Sequence, residues 1–145
     1  MQTRTKRPLI DLSENHRRGI STSLQLLDKQ LCQWEQWIEH NPAPGGMYQQ
    51  RDNLSARQKG ELRQRISEMR QVTVQLREDL NLEPARPTTS SLIVGSANVL
   101  WEMLCELNST SLRGYGDVPA ELAQYLNPLG ETLTQRMYEI AKLFS

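Results

Sequence analysis

A run of three heptads over residues 61–81 constrains the fold of this chain more than any other feature. Leu62, Met69 and Leu76 recur every seven residues, and Ile66, Thr73 and Leu80 follow each of them by four. An arginine comes directly after each first residue of the repeat. This spacing is typical of a helix with a narrow apolar seam and a charged flank, which packs along another helix.

A second seam upstream predicts the partner of the heptad helix. Apolar side chains from Ile20 to Ile38 alternate in steps of four and three, which predicts a helix over residues 13–40. A segment rich in proline and glycine ends that helix. The pair Ser55 and Gln58 then forms a capping-box pattern, which opens the heptad helix and lets it run to about residue 82.

Charges beside the two seams predict how these helices pair. Asp28 and Glu35 flank the first seam, whereas Arg63, Arg70 and Arg77 flank the second on the equivalent side. Flanking positions of this kind face each other in an antiparallel pair. Counting back from the connecting loop sets Glu35 opposite Arg63 and Asp28 opposite Arg70, and leaves Arg77 without a partner.

The C-terminal part of the chain predicts two further helices. A helix capped by the hydroxyls at 88–90 carries the stripe Ile93, Ala97, Leu100, Leu104 and Leu107, and its scarcity of charge predicts that it is the most buried helix. The last helix carries Leu129, Leu133, Met137, Ile140 and Phe144, and Asn127-Pro128 predicts a break or kink in it.

These elements predict an all-α fold, an antiparallel up-down four-helix bundle with long helices 1 and 2 and a proline-broken fourth helix. We expect a single helical domain over residues 1–145, in which residues 1–10 form a flexible basic N-terminal arm. Seventeen basic residues balance seventeen acidic ones, so net charge favours no class of partner. We expect the two cysteines to be reduced, packed thiols. No secretory signal or membrane span is evident in the sequence, which together with the cysteines predicts a cytoplasmic protein.

Residues capable of catalysis or metal binding are sparse. The two histidines, His16 and His40, lie at opposite ends of the first helix, and no HxxxH, ExxH, CxxC or phosphate-loop motif occurs. We therefore expect no enzyme activity, no cofactor and no metal. The leading hypothesis is a protein-interaction or assembly module that self-associates or docks a partner protein. Its candidate contact residues are Trp37, Trp101, Arg113, Tyr115 and Arg77.

Several of these residues also have a structural interpretation. Trp101 fits a core position as well as an interface, and Tyr115, held in an Arg-Gly-Tyr-Gly-Asp loop, fits a tight turn folded back on the core. Two other functions remain open. One is a small-ligand pocket between helices 1, 3 and 4. The other is a nucleic-acid accessory protein that binds phosphates through Arg4, Lys6, Arg7, Arg17, Arg18, Arg57 and Lys59.

Overall fold

The computed structural model describes residues 10–145, and in this range the chain is helical with no β-strand. The helices are α1 (Glu14–Glu39), α2 (Ala56–Asp79), α3 (Thr89–Cys105), the short α4 (Ser109–Leu112) and α5 (Ala120–Lys142), with a 3-10 turn at Arg113–Tyr115. The all-α prediction is confirmed. All but the last residue of the predicted basic arm lie outside the described residues. The chain divides into two compact units, residues 1–85 and 86–145.

Side-chain caps explain where the long helices begin. Ser13, Ser55 and Thr88 each accept a hydrogen bond from the backbone N–H three residues on, at 3.1 to 3.3 Å. These bonds satisfy donors that the first turn of a helix leaves unpaired. At Ser55 the predicted capping box is complete, because the side chain of Gln58 accepts from the Ser55 backbone N–H at 2.9 Å.

The first unit is an antiparallel hairpin of α1 and α2. Its core consists of Leu31, Ile38 and Ile66, and the predicted seam residues Leu27, Trp34 and Leu62 pack against it. At the far end of the hairpin, the Arg17 guanidinium donates to the carbonyls of Leu80 and Asn81, at 2.9 Å each. The guanidinium lies at the C-terminal end of α2. This is the negative end of the helix dipole, where the last carbonyls have no hydrogen-bond donor within the helix. The two seams therefore meet in part as predicted, whereas Met69 and Leu76 of the α2 seam are exposed.

The second unit pairs α3 with α5, and α4 bridges their ends. The least exposed positions are small residues, Ala97 on α3 and Gly130 on α5. A Cβ added to Gly130 would lie 2.3 Å from the carbonyl oxygen of Leu107, so the glycine permits a backbone-to-backbone approach there. Asn127 fixes the corner, since its amide oxygen accepts from Ser109 N–H at 2.9 Å.

Two predictions for this unit are wrong. The last helix is not broken, because α5 continues through Pro128 as one helix. The proline removes only the hydrogen bond that its own nitrogen would make to the carbonyl of Gln124, and its own carbonyl still accepts a hydrogen bond, from the hydroxyl of Thr132 at 3.0 Å. Nor is α3 the most buried helix. Its residues Leu92, Ile93 and Leu100 are exposed, because the face that α3 packs against α5 is narrow; on that face Ala97 is buried, and Val94 and Leu104 are half-buried.

Candidate functional site

Arg70 of α2 joins the two helices of the hairpin. Its Nε donates to Glu35 at 2.7 Å, its Nη1 lies 3.4 Å from Asp28, and its Nη2 donates to the Sγ of Cys32 at 3.3 Å. The hydrogen bond to Cys32 and then the contact with Glu35 raise the pKa of Arg70 above its ordinary value. The predicted pair of Glu35 with Arg63 is therefore wrong, since one forked guanidinium serves both carboxylates.

Arg63 lies on the same side of the hairpin but at the edge of a groove instead of in a direct pair. The groove has a volume of about 460 Å³ and also contains Glu39 and Ser67. Its lining combines carboxylates and guanidinium groups with the apolar side chains of Ile38 and Ile66. This mixture of charges is typical of a solvated helix flank, whose ion pairs help to set the register of two helices.

The cysteines differ from the prediction of packed thiols. Cys32 and Cys105 are both free and both exposed. Cys32 stands on the polar flank of α1 beside Arg70, one position after the buried Leu31. The thiol is therefore part of the hydrogen-bonding arrangement that aligns α1 with α2.

Several basic residues predicted to contact nucleic acid have partners within the protein. Arg17 binds the end of α2, Arg57 pairs with Glu61 at 3.1 Å, and Lys59 pairs with Asp52. Lys59, together with the backbone N–H of Leu54, holds the pKa of Asp52 below its usual value. Arg18 lies on the exposed side of α1, while Arg4, Lys6 and Arg7 lie outside the described residues. Nucleic-acid binding stays a prediction, with fewer unpaired cations to support it.

Trp37 and Arg77 do not share a surface. Both are exposed, but Trp37 lies near the C-terminal end of α1 and Arg77 in the last turn of α2. Because the hairpin is antiparallel, these positions stand at its opposite ends. Within residues 10–145 no carboxylate lies within ion-pair distance of Arg77.

The other candidate contact residues belong to the second unit. Arg113 and Tyr115 form the 3-10 turn after α4, and Gly116 follows in an extended positive-φ conformation, φ 133°. Tyr115 is 92% exposed, so its ring is not folded back on the core. Trp101 is partly exposed on α3. The structure thus places two aromatic side chains, near one end of this unit, in contact with solvent.

An apolar groove lies between α3 and α5. This shallow groove of about 370 Å³ runs along the N-terminal half of α3 and the C-terminal half of α5. No charged side chain lines it. Its walls carry Thr89 and Ser96, and its apolar lining consists of Leu92, Ile93, Ala97, Leu100, Met137 and Ile140.

Most of this lining was predicted to be core. Ile93, Ala97 and Leu100 belong to the predicted stripe of α3, and Met137 and Ile140 to that of α5. Sequence periodicity identified both stripes and missed that they lie open beside each other. Periodicity gives no signal of this, because it does not show which side of a stripe the neighbouring helix contacts.

No family model matches the chain, and neither a curated protein nor a solved structure matches it. Within the described part of the chain, no group of three or more His, Cys, Asp or Glu side chains is arranged to hold a metal ion. None of the helices between residues 10 and 145 combines the length and apolar character needed to cross a membrane.

Proposed function

We propose that this protein is a non-enzymatic protein-interaction or assembly module that docks a partner through the groove between α3 and α5. The observation that carries the proposal is the exposure of two predicted core stripes on one continuous surface. A stripe of large apolar residues on each of two neighbouring helices is half of a helical core. The missing half has to come from another helical surface.

The chemistry of the groove supports docking of an apolar surface. From Thr89 to Leu100 the helix α3 has no charged residue, and its large side chains Leu92, Ile93 and Leu100 are exposed. Each large apolar side chain that becomes fully buried stabilises a complex by roughly 1.5–3 kcal/mol before the cost of association. Contiguous apolar patches of several hundred Å² mark interaction sites in soluble proteins.

An antiparallel up-down four-helix bundle within one chain is the alternative arrangement. In that bundle α1 and α2 would cover the groove and leave no docking face. In the hairpin, part of the main stripe is enclosed around Leu31 and Ile66, while Met69 and Leu76 are exposed. Its outer apolar residues, such as Leu26 and Val72, are interspersed with charged and polar ones.

The proposal extends to the cellular location. Two free cysteines are compatible with a reducing compartment, and we propose that the protein works in the cytoplasm. A ligand pocket between helices 1, 3 and 4 stays a prediction. The two grooves described above each lie within a single helix pair.

Binding of an environment-sensitive apolar dye tests the docking face. We expect dilute protein to bind 8-anilinonaphthalene-1-sulfonate, and Leu100→Arg to abolish most of the fluorescence gain while the helical circular dichroism is retained. The matched control is Leu26→Arg, an equally drastic change at a 65% exposed site on α1. Dye binding that is absent, or equally sensitive to both variants, would contradict the proposal.

A further inference from the structure

We infer that the partner of the α3–α5 groove is a second copy of this chain, related by a two-fold axis, so that α3 and α5 of each copy form one four-helix bundle. The inference rests on the proposed function and adds the identity of the partner. Three properties of the second unit carry it: the composition of the groove, the charge at its two ends and the size of the face.

The groove is self-complementary in composition. Its large side chains, such as Leu92 and Leu100, alternate with small ones at Ser96 and Ala97, so ridges on one copy meet depressions on the other. A two-fold interface needs only one surface that fits itself. A charged peptide would leave its ions unpaired on this uncharged lining, and that cost disfavours such a partner.

Charge at the two ends of the unit specifies an antiparallel arrangement. The end formed by the C-terminal half of α3 and the N-terminal half of α5 is acidic, with Arg113 as its one basic residue and the carboxylates of Glu102, Glu106, Asp117, Glu121 and Glu131. The opposite end carries two basic residues, Arg136 and Lys142, and one acidic residue, Glu139, which pairs with Arg136. A two-fold axis across the groove places the acidic end of one copy beside the basic end of the other.

The area of the face suits a dimer of moderate affinity. The helix α3 has 17 residues. At 1.5 Å per residue it is roughly 25 Å long, and two helices of about 10 Å diameter give a footprint of about 500 Å². Two such footprints amount to about 1,000 Å² of buried surface, which lies at the lower end of specific interfaces. We therefore expect association in the micromolar range.

Light scattering of the full chain from about 1 to 100 μM tests the inference. We expect the molar mass to rise from 16.7 kDa toward twice that value. Leu100→Arg should raise the dissociation constant at least tenfold, and the control Leu26→Arg should leave it within twofold. A second variant keeps the test valid if Leu100→Arg does not fold. Arg136→Glu combined with Lys142→Glu makes both ends of the unit acidic, so that like charges meet in the antiparallel dimer. It should weaken the dimer several-fold, most strongly at low salt.

The other outcomes separate the inference from the proposed function. A monomer at 100 μM that still binds the dye in the groove overturns the second copy as partner and leaves the docking face in place. A monomer that binds no dye overturns both. A dimer that tolerates Leu100→Arg and the charge reversals, but dissociates with Leu26→Arg, assembles through another surface and overturns the inference alone.

Discussion

The two helix pairs of this protein differ in which side chains they bury between their helices. Between α1 and α2, large side chains such as Leu31 and Ile66 face inward, and Arg70 aligns the helices from the polar flank. Between α3 and α5, Ala97 and Gly130 are the buried positions, and several large side chains remain exposed. The first pair has enclosed a cluster of large side chains, whereas the second leaves large side chains of both helices exposed. We propose that the first pair supplies a folded core and the second pair a docking face.

The largest effect is expected in the core of the first pair. Leu31 is 0% exposed, and Leu31→Ala should lower the free energy of unfolding by about 2–5 kcal/mol, because it removes buried methyl groups and leaves a cavity. Urea titration followed by circular dichroism measures the loss. Leu26→Ala on the same helix is the control, with an expected change within about 0.5 kcal/mol. Equal losses for the two variants would show that the hairpin core is not where we describe it.

Glycine substitutions sharpen the description of the second pair. Gly130→Ala places a methyl group against the Leu107 carbonyl, so we expect a loss of roughly 1–3 kcal/mol. At Gly95, within α3, an added Cβ meets nothing within 4 Å. Gly95→Ala should therefore stabilise the protein by roughly 0.5–1 kcal/mol through helix propensity. Thermal and urea unfolding distinguish the signs, and a neutral Gly130→Ala would contradict the close approach of α5 to the Leu107 carbonyl.

Arg70 tests what aligns the first pair. Arg70→Gln removes the contacts with Glu35 and Asp28, which should cost about 1 kcal/mol at low salt and less at 1 M salt. Arg63→Gln, on the same flank but without a direct ion pair, should change stability by less than about 0.5 kcal/mol. If Arg63→Gln had the larger effect, the predicted Glu35–Arg63 register would be correct and the observed one wrong.

The smallest effect concerns acid titration at the edge of the first pair. Lys59 lowers the pKa of Asp52 in the folded protein. The pair therefore stabilises the fold at pH values above the ordinary pKa of an aspartate side chain. That contribution disappears as the pH falls through the lowered pKa of the folded state. Carboxyl carbon NMR should show the Asp52 midpoint moving upward in Lys59→Met. Glu139, lowered in pKa by Arg136 in the second pair, should keep its midpoint and serves as the internal control.

Local signals predicted the helices well. The hydroxyl caps at Ser13, Ser55 and Thr88 lie one residue before the helices that they open, and the stripe of α1 faces α2 as its period indicates. Such signals involve residues only three or four positions apart, so the sequence shows them directly. The continuation through Pro128 was not predictable in the same way, because it depends on how α5 packs against α3.

The candidate site was harder to predict for two physical reasons. A period shows which side chains share a face but not whether a neighbouring helix contacts the large residues or the small ones beside them. On α3, contact at Ala97 left Ile93 and Leu100 outside. The length of an arginine side chain explains the error in register, since Arg70 reaches two carboxylates a full heptad apart.

The most direct test of the central claim is the cost of Leu100→Ala, measured as the free energy of unfolding at protein concentrations from about 1 to 100 μM. If the groove is a docking face, the cost should be below about 1 kcal/mol in dilute protein and rise with concentration as the face becomes covered. The cost of Leu31→Ala should stay constant over the same range. A loss of about 2–5 kcal/mol for Leu100→Ala at every concentration would place that residue in the chain's own core and contradict the account.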